Sequence, residues 1–105
     1  MQDFINVILP IPIEKLFTYK VTGEEAKALK PGMRVAVPFG KSKIYTALVF
    51  EIHNTAPTVY EAKEIDQILD DQPIVTNIQL KFWHWLAQYY MCSIGEVFRS
   101  AVPSA

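Results

Sequence analysis

The tripeptide Gly40-Lys41-Ser42 is the first segment whose residue types could do chemistry, because phosphate-binding P-loops end in these residues. A P-loop also needs a glycine five positions before its final glycine and a helix directly after the loop. Position 35 is Val35, and residues 44–54 have the β-branched and aromatic composition of a strand. The P-loop interpretation therefore fails. A polar hairpin connection through residues 40–43 explains the glycine.

Other groups that could catalyse a reaction or bind a metal are sparse in this sequence. Cys92 is the only cysteine, and the two histidines, His53 and His84, lie far apart, so neither a disulfide nor a zinc site is expected. The adjacent acids Asp70 and Asp71 precede a proline, where turn and helix-entry roles explain them. The sequence predicts no catalytic residue and no metal site.

The composition is that of one ordinary globular domain. The chain has 105 residues, of which half are hydrophobic and a fifth are charged, and this length supports a single core. The net charge of −1 argues against a broad nucleic-acid surface. Residues 1–50 nevertheless hold seven basic and four acidic side chains, whereas residues 51–105 hold three basic and seven acidic ones. This split indicates either a local anion-binding face in the first half or two differently solvated surfaces.

The start of the chain carries no targeting signal that we can identify. It lacks the basic residues and the long apolar run of a signal peptide, and no window approaches the ~18 apolar residues of a membrane span. A single cysteine also fits a reducing compartment. The sequence therefore predicts a cytoplasmic protein with no membrane partner.

Short runs of apolar, β-branched and aromatic residues predict strands in the first two-thirds of the chain. One or two helical turns are expected over residues 23–30, followed by a type II turn at Pro31-Gly32. Residues 3–10 are apolar on both faces, as in a strand packed on both sides. Five strands at about ten-residue spacing indicate a small closed or half-closed antiparallel barrel. The predicted strands are residues 3–10, 17–21, 33–39, 44–54 and 60–69.

The last third of the chain has the period of helices. Thr76 and Gln79 form a capping box that begins a helix through about Met91, and Ser93 and Glu96 form a second box before a short helix. The predicted fold is therefore α+β: a small OB-like barrel of about five strands (about 3–69) with C-terminal helices (about 76–101), in a single domain of residues 1–105.

The longer helix carries two apolar stripes, which predict burial on two sides: one against the barrel, the other against a further element or domain. The first stripe comprises Ile78, Phe82, Trp85, Leu86 and Tyr89, and the second comprises Leu80, Trp83, Ala87 and Tyr90.

Four segments, in order and covering nearly the whole chain, resemble the N-terminal domain of the PriA-type primosomal replication-restart helicases. They read VILPIPIEKLFTYKV, LKPGMRVAVPFGKSKIYTALVFEI, AKEIDQILDDQPIVT and WLAQYYMCSIGEVFRSAVP. The patterns G-x-R-V-x-V-P-F-G and W-x-A-x-Y-Y-x-x-x-x-G-E-V carry most of the specificity. The resemblance implies an OB-like barrel with helical additions that binds the 3′ end of the nascent leading strand at a stalled fork. It also implies that the domain orients the ATP-dependent 3′–5′ helicase for replication restart and primosome assembly.

The resemblance also implies which residues bind the DNA end. The family's aromatic-x-aromatic element falls on Phe17-Thr18-Tyr19, its pocket glycine on Gly40 and its basic residue on Lys63. Lys41 and Lys43 are further candidates for phosphate contacts. Glycine allows close approach of the backbone, lysines neutralise phosphates, and aromatic rings offer stacking surface.

The sequence departs from the family at Thr18, because the best-described members have an aspartate that helps bind the terminal nucleotide. A threonine hydroxyl can donate or accept a hydrogen bond, but it lacks the strong acceptor of a carboxylate. Phe17, Tyr19, Gly40 and Lys63 each also have an ordinary structural explanation: a core ring, a turn or an exposed lysine.

The partners that the resemblance implies are DNA with a free 3′ end at branched forks, helicase domains of a longer chain, and possible contacts with single-stranded-DNA-binding protein and other primosome proteins. Full-length members use ATP with magnesium and bind zinc through later domains, so no cofactor and no enzymatic activity are expected in this part. The alternative is a structural module without direct DNA binding, which docks other domains or proteins through the aromatic helix around Trp83 and Trp85.

Overall fold

The computed structural model describes residues 2–12, 15–40, 43–57 and 61–101, which form one antiparallel sheet and three helices. The strand order is β2-β1-β4-β3-β5. The predicted class, a small α+β domain with an OB-like sheet and C-terminal helices, is confirmed. The elements are β1 (Asp3–Ile8), β2 (Phe17–Val21), α1 (Gly23–Ala28), β3 (Arg34–Phe39), β4 (Lys43–His53), β5 (Gln67–Ile68), α2 (Asn77–Tyr89) and α3 (Ile94–Ala101).

Residues 63–69, which we call the closing segment, join the two edges of the sheet. Lys20 of β2 donates its N–H to the Lys63 carbonyl over 2.7 Å and accepts at its own carbonyl from the Ile65 N–H over 3.4 Å. On the other side of the segment, the Asp66 N–H donates to a β3 carbonyl over 2.7 Å. Backbone groups at both edges are thereby satisfied, and the sheet curls into a small barrel.

The fifth strand is much shorter than the sequence predicts. Regular pairing with β3 is confined to Gln67–Ile68, and Glu64 forms only an isolated parallel bridge with Lys20. The closing segment pairs with β2 at Glu64 and with β3 at Gln67–Ile68, so it cannot form one continuous strand pairing. The start of the predicted strand, Tyr60, lies outside the described residues.

Strand β1 is packed on both faces, as predicted. Ile5, Val7 and Leu9 belong to the core inside the barrel, and Ile8 packs on the opposite face against the helices. The register with β4 shifts between Asn6 and Val7. Such a bulge bends the strand pair, which helps a short sheet curl.

A second core lies between the sheet and the two C-terminal helices. Leu80, Trp83 and Ala87 of α2 and Phe98 of α3 are buried there with Ile8. Burial of each large apolar side chain contributes about 1.5–3 kcal/mol to the free energy of unfolding. This layer, rather than intrinsic helix propensity, therefore fixes the helices on the barrel.

The predicted helix starts agree with the structure. The N–H of Gln79 donates to Thr76 Oγ1 over 3.1 Å, and Gln79 Oε1 accepts from the Thr76 N–H over 2.9 Å, so the first capping box is confirmed. For α3, the N–H of Glu96 donates to Ser93 Oγ over 3.2 Å. Helix α3 lies so close to the barrel that a Cβ on Gly95 would stand 2.2 Å from the Ile11 carbonyl oxygen.

Of the two burials predicted for α2, the one against the barrel is observed among the described residues, and burial of the other stripe against a further domain stays a prediction. The stripe of Leu80, Trp83 and Ala87 is buried, but Tyr90 is 68% exposed because it caps the helix beyond its last turn. The other stripe faces solvent, apart from the half-buried Leu86. Its exposed members are Ile78, Phe82, Trp85 and Tyr89.

The turns before and after β3 explain two sequence features. The Met33 N–H donates to the Lys30 carbonyl over 3.2 Å across Pro31 and Gly32, so a turn is confirmed there. Strand β4 begins at Lys43, one residue earlier than predicted, and a strand instead of a helix follows the Gly40 hairpin. The predicted strand is therefore confirmed in the place where a P-loop requires a helix.

Candidate functional site

A cleft of about 300 Å³ opens between β2, the end of β3 and the residues just before and at the start of the closing segment. The five residues to which the family resemblance assigns DNA-end binding come from three separate parts of the sequence. All five lie in the wall of this cleft. They are Phe17, Thr18, Tyr19, Gly40 and Lys63.

The cleft is a consequence of how the barrel closes. Lys20 bonds to the closing segment through its N–H and its carbonyl. On a strand, the N–H and C=O groups of residues i and i+2 point to the same edge. The N–H and C=O of Thr18 therefore point to the edge of β2 at which Lys20 bonds to the closing segment. The cleft opens beside Thr18, where β2 continues past Lys63. The backbone of Thr18 therefore borders the cleft.

The aromatic rings of the cleft are held mainly by the barrel. Tyr19 is 5% exposed, and its hydroxyl donates to the Pro38 carbonyl over 2.8 Å. Phe17 is half-buried and meets the Phe39 ring edge-on, with 5.2 Å between centroids. The Lys15 ammonium lies 5.1 Å from the Phe17 centroid. Tyr19 thus offers little surface for stacking, and a base stacked on Phe17 competes with Lys15.

Gly40 provides an open position at the rim of the cleft. Its φ is +74°, in the left-handed region that favours glycine, and a Cβ built there meets nothing within 4 Å. The backbone conformation therefore favours glycine, while the space beside it stays available to a ligand. Of the two further lysines, Lys41 lies outside the described residues, and Lys43 is exposed at the start of β4, outside the cleft wall.

Sequence analysis did not assign four other residues of the wall: Lys15, Pro38, Phe39 and Glu61. Pro38 and Phe39 adjoin the hairpin glycine, which was the available signal for them. Two ammonium groups, those of Lys15 and Lys63, and the carboxylate of Glu61 give the wall a small positive balance. Such a wall attracts one phosphate and also offers acceptors to hydrogen-bond donors of a ligand.

An ion pair anchors Asp70, the residue directly after the closing segment, to β3. The Arg34 guanidinium donates to Asp70 through Nε (3.0 Å to Oδ2) and Nη2 (2.9 Å to Oδ1), and the Arg34 N–H adds a third bond of 2.9 Å. The hydrogen bonds from Arg34 lower the pKa of Asp70 below its ordinary value. Sequence analysis explained Asp70 as a turn residue and did not find this role.

A larger cleft of about 440 Å³ lies at the junction of α2 and α3. It is lined by side chains such as His84, Gln88 and Cys92, and it shares Lys15 with the smaller cleft. None of the five residues assigned from the resemblance belongs to it. The smaller cleft is the better candidate because it combines an open glycine, strand backbone and two ammonium groups.

Two kinds of feature do not occur in the described part of the chain. No group of three or more histidine, cysteine or carboxylate side chains there is placed to hold a metal ion. No described helix has both the length and the apolar composition that crossing a membrane requires.

Comparison with known proteins supports the resemblance. The profile of the family described as the PriA 3′DNA-binding domain (3′BD) matches residues 6–103. Replication restart protein PriA of Haemophilus influenzae is 36% identical over 103 residues, covering 97% of this chain and 14% of that protein. The PriA protein of Treponema pallidum is 27% identical over 108 residues (99% and 16%), and that of Bacillus subtilis is 26% identical over 107 residues (99% and 13%).

The chain thus spans about one-seventh of the length of the curated relatives that it matches. The family match extends from the middle of β1 through α3, and so over every element that builds the cleft. The chain belongs to the family of PriA 3′DNA-binding domains.

Proposed function

We propose that this chain binds the 3′-terminal nucleotide of a DNA strand in the cleft between β2, Gly40 and Lys63. The observation that carries the proposal is the convergence of the five assigned residues on one cleft. A volume of about 300 Å³ lies at the lower end of the range for small-ligand sites, which suits one nucleotide better than a length of strand.

Each part of the wall has a role in this proposal. The backbone beside Thr18 and at Gly40 contacts the sugar and the base without depending on base identity. Lys63 and Lys15 neutralise the phosphate on the 5′ side of the terminal nucleotide. The Glu61 carboxylate repels a phosphate on the 3′ oxygen, so the cleft favours ends that carry a hydroxyl.

The role in the whole protein follows from the family. In a longer PriA-type chain, capture of the nascent leading-strand 3′ end at a stalled fork orients the ATP-dependent 3′–5′ helicase for replication restart and primosome assembly. ATP, magnesium and zinc belong to the other domains, and this part has no catalytic activity of its own. Single-stranded-DNA-binding protein and other primosome proteins are further partners of the proposal, and its compartment is the cytoplasm.

The test compares DNA ends that differ only at the terminal oxygen. A short single strand labelled at its 5′ end is titrated by fluorescence anisotropy, once with a 3′-hydroxyl and once with a 3′-phosphate. We expect the hydroxyl end to bind more tightly, because the phosphate adds bulk and a charge beside Glu61. A control pair, labelled on an internal base, differs only in whether its 5′ end is phosphorylated, and both members should bind alike. Equal affinity for the two 3′ ends, or no binding, would contradict the proposal.

The exposed stripe of α2 favours a second candidate function. Ile78, Phe82, Trp85 and Tyr89 are each more than half exposed, and a contiguous apolar surface of this kind marks an interaction site. We propose the remaining domains of the longer polypeptide as its occupant, because relatives are about seven times longer than this chain. Oxidative labelling of Trp85 and Tyr89 should then be weaker in the full-length protein than in the 105-residue chain. Equal labelling would contradict docking at this face.

A further inference from the structure

The larger cleft at the junction of α2 and α3 adjoins the candidate DNA site. Lys15 lies in the walls of both clefts. The next two residues divide between them, because Leu16 lines the larger cleft and Phe17 lines the smaller one. Leu16 packs against the core under the helices, and Phe17 packs against the core inside the barrel. The two clefts therefore lie side by side along one short stretch of chain.

Charge is placed unevenly in the larger cleft. Among the described residues of its wall, Lys15 is the only one with a full charge when histidine is counted as neutral. The Lys15 ammonium lies 5.1 Å from the Phe17 centroid, and so on the side of the smaller cleft. The rest of the wall is neutral, with apolar side chains at Leu16, Ala87 and Ile94. A phosphate therefore fits the shared rim, and an uncharged part of a ligand fits the remainder.

The neutral wall presents groups that suit a nucleic-acid base. His84 is exposed, and its ring lies 6.2 Å from the Phe50 ring between centroids, tilted by 46°. Gln88 Nε2 lies 3.4 Å from His84 Nε2, so the amide stands beside the imidazole. A flat imidazole ring is a stacking surface for any base, and an amide offers donors and an acceptor to base edges.

Met91 adds a second surface at a cost in backbone conformation. It directly follows Tyr90, the C-cap of α2, and the Cys92 N–H donates to the Ala87 carbonyl over 2.9 Å. Glycine is usual at this position of a helix end, because the residue is left-handed, and the φ of Met91 is +55°. Met91 is 88% exposed, so burial does not explain the side chain. Its flexible thioether lines the cleft and can pack on an aromatic ring.

We propose that the larger cleft binds the second nucleotide from the 3′ end of the same DNA strand, with its base against His84 and Met91. This inference rests on the proposed function, which assigns the last internucleotide phosphate to Lys15 and Lys63. The strand continues from that phosphate in the 5′ direction, and Lys15 is where the larger cleft begins. The larger cleft, at about 440 Å³, exceeds the cleft of about 300 Å³ that is assigned to the terminal nucleotide.

The test removes the second base and leaves the strand otherwise intact. The 105-residue chain is titrated by fluorescence anisotropy with single strands that are labelled at the 5′ end and end in a 3′-hydroxyl. One strand is complete, one has an abasic site at the second position from the 3′ end, and a control strand has its abasic site far from that end. We expect loss of the second base to weaken binding by about fivefold or more, the value of one stacked base. Loss of the distant base should change nothing.

Variants of α2 test whether the second base acts through this wall. In His84→Ala, the complete strand and the strand without the second base should bind nearly alike, because the ring that the base contacts is gone. His84→Phe should keep the difference, since phenylalanine also presents a flat ring. Phe82→Ala is the matched control, because Phe82 is an exposed ring of the same helix that does not line the cleft. It should behave like the wild type.

Met91→Gly separates binding from stability. Glycine suits a φ of +55°, so this variant should unfold at a higher temperature than the wild type. The variant also lacks the thioether, so it should bind the complete strand more weakly and the strand without the second base as the wild type does. A purely structural role for Met91 predicts the change in stability with no change in the ratio of the two affinities.

The outcomes distinguish this inference from the function on which it rests. If the wild type distinguishes 3′-hydroxyl from 3′-phosphate ends but binds the complete strand and the strand without the second base alike, the function stands and the inference is overturned. The larger cleft is then left to another occupant, such as a segment of the longer polypeptide. An equal effect of the second base in the wild type and His84→Ala also overturns the inference. If the wild type binds none of these strands, both fail together. An effect that is lost in His84→Ala and kept in His84→Phe supports both.

Discussion

The cleft beside β2 and the outer face of α2 both present aromatic side chains, and they hold them differently. In the cleft, Phe17 packs against Phe39 and Tyr19 is buried, so these rings support a concave surface from inside the barrel. On α2, the rings of Phe82, Trp85 and Tyr89 stack on one another in solvent, with centroids 5.9 and 5.1 Å apart. The difference shows that aromatic content alone does not distinguish a concave candidate site from an exposed helix face.

Charge and backbone access separate the two regions further. The cleft combines two ammonium groups, one carboxylate and strand backbone, and these groups match a nucleotide. The four exposed residues of the α2 stripe are uncharged and offer only side-chain surface, which matches another folded domain. The following predictions test this division of roles, from the largest expected effect to the smallest.

Gly95→Leu should have the largest effect, because it separates the helical layer from the barrel. A Cβ at this position meets the backbone carbonyl oxygens of Ile11 and Leu9 at 2.2 and 2.3 Å. We expect a loss of about 3 kcal/mol or more in the free energy of unfolding. Chemical denaturation followed by both tryptophan fluorescence and circular dichroism measures it, and coincident wild-type transitions would support a single domain. Gly23→Ala is the control, because a Cβ there meets nothing within 4 Å.

Gly40→Trp should weaken 3′-end binding by tenfold or more by filling the cleft. The substitution also places a bulky residue at a φ of +74°, so part of its effect is strain. Gly40→Asn separates the two effects, since asparagine tolerates this conformation with a small side chain. We expect Gly40→Asn to retain most of the affinity in anisotropy titrations. Unchanged affinity in Gly40→Trp would remove the cleft from the DNA site.

Asp70→Asn should lower the free energy of unfolding by about 1 kcal/mol at pH 7, with solvent screening limiting the effect. Arg34 lowers the pKa of Asp70 below its ordinary value of 3.8, so the charged form is the one that stabilises the fold. The contribution is therefore complete above about pH 4 and is lost as the pH falls through the lowered pKa. Urea denaturation from pH 7 to pH 2 should show the variant and the wild type converging at the acid end. Asp71→Asn, at the exposed neighbour outside this ion pair, is the control and should leave the free energy of unfolding at pH 7 nearly unchanged.

Lys63→Ala should reduce affinity for 3′ ends by about threefold and reduce the salt dependence. Loss of one phosphate contact lowers the slope of log K against log salt concentration by about 0.7 for single strands. Lys81→Ala, at an exposed lysine of α2, is the matched control and should leave both quantities unchanged. If both variants behave alike, Lys63 contributes only general charge and the assignment to the cleft is wrong.

Trp85→Ala should have the smallest effect on this chain. Trp85 is 52% exposed and contacts mainly its stacked neighbours, so the free energy of unfolding should change by less than about 1 kcal/mol. Affinity for 3′ ends should not change at all. Trp83→Ala is the matched comparison: Trp83 is 7% exposed, and its truncation should cost about 3–5 kcal/mol. A loss of DNA affinity in Trp85→Ala would contradict the assignment of DNA binding to the cleft rather than to the α2 stripe.

Local patterns predicted much of the fold. The alternation of Ile5 and Val7 with Ile8 indicated a strand packed on both faces, and Thr76 with Gln79 marked the start of α2. These features depend on residues that are close together in the sequence, so they can be predicted from the sequence alone. The shortness of β5 was not predictable in this way, because it follows from an exchange of partners between β2 and β3.

The candidate site shows the same limit. The resemblance supplied its five residues, but local pattern alone could not place Phe17 next to Phe39 or bring Lys63 to β2. Likewise, Asn6 reads as an ordinary position on a strand, and its bond to Thr18 depends on the register of two strands. Such contacts join residues distant in sequence, so only the folded structure reveals them.

The closing segment has a consequence for how this domain responds to its ligand. The barrel is closed by a few backbone hydrogen bonds, which we call the seam: Lys63 and Ile65 bond to β2, and Asp66 and Leu69 bond to β3. Because the bonds are few, local opening of the barrel is expected at the seam. In the proposed function, a nucleotide in the cleft would contact β2 on one side of these hydrogen bonds and Lys63 on the other. Its binding free energy is then added to the cost of opening the seam. The proposed function therefore predicts that a bound DNA end slows hydrogen exchange of the backbone amides of Lys20, Ile65, Asp66 and Leu69.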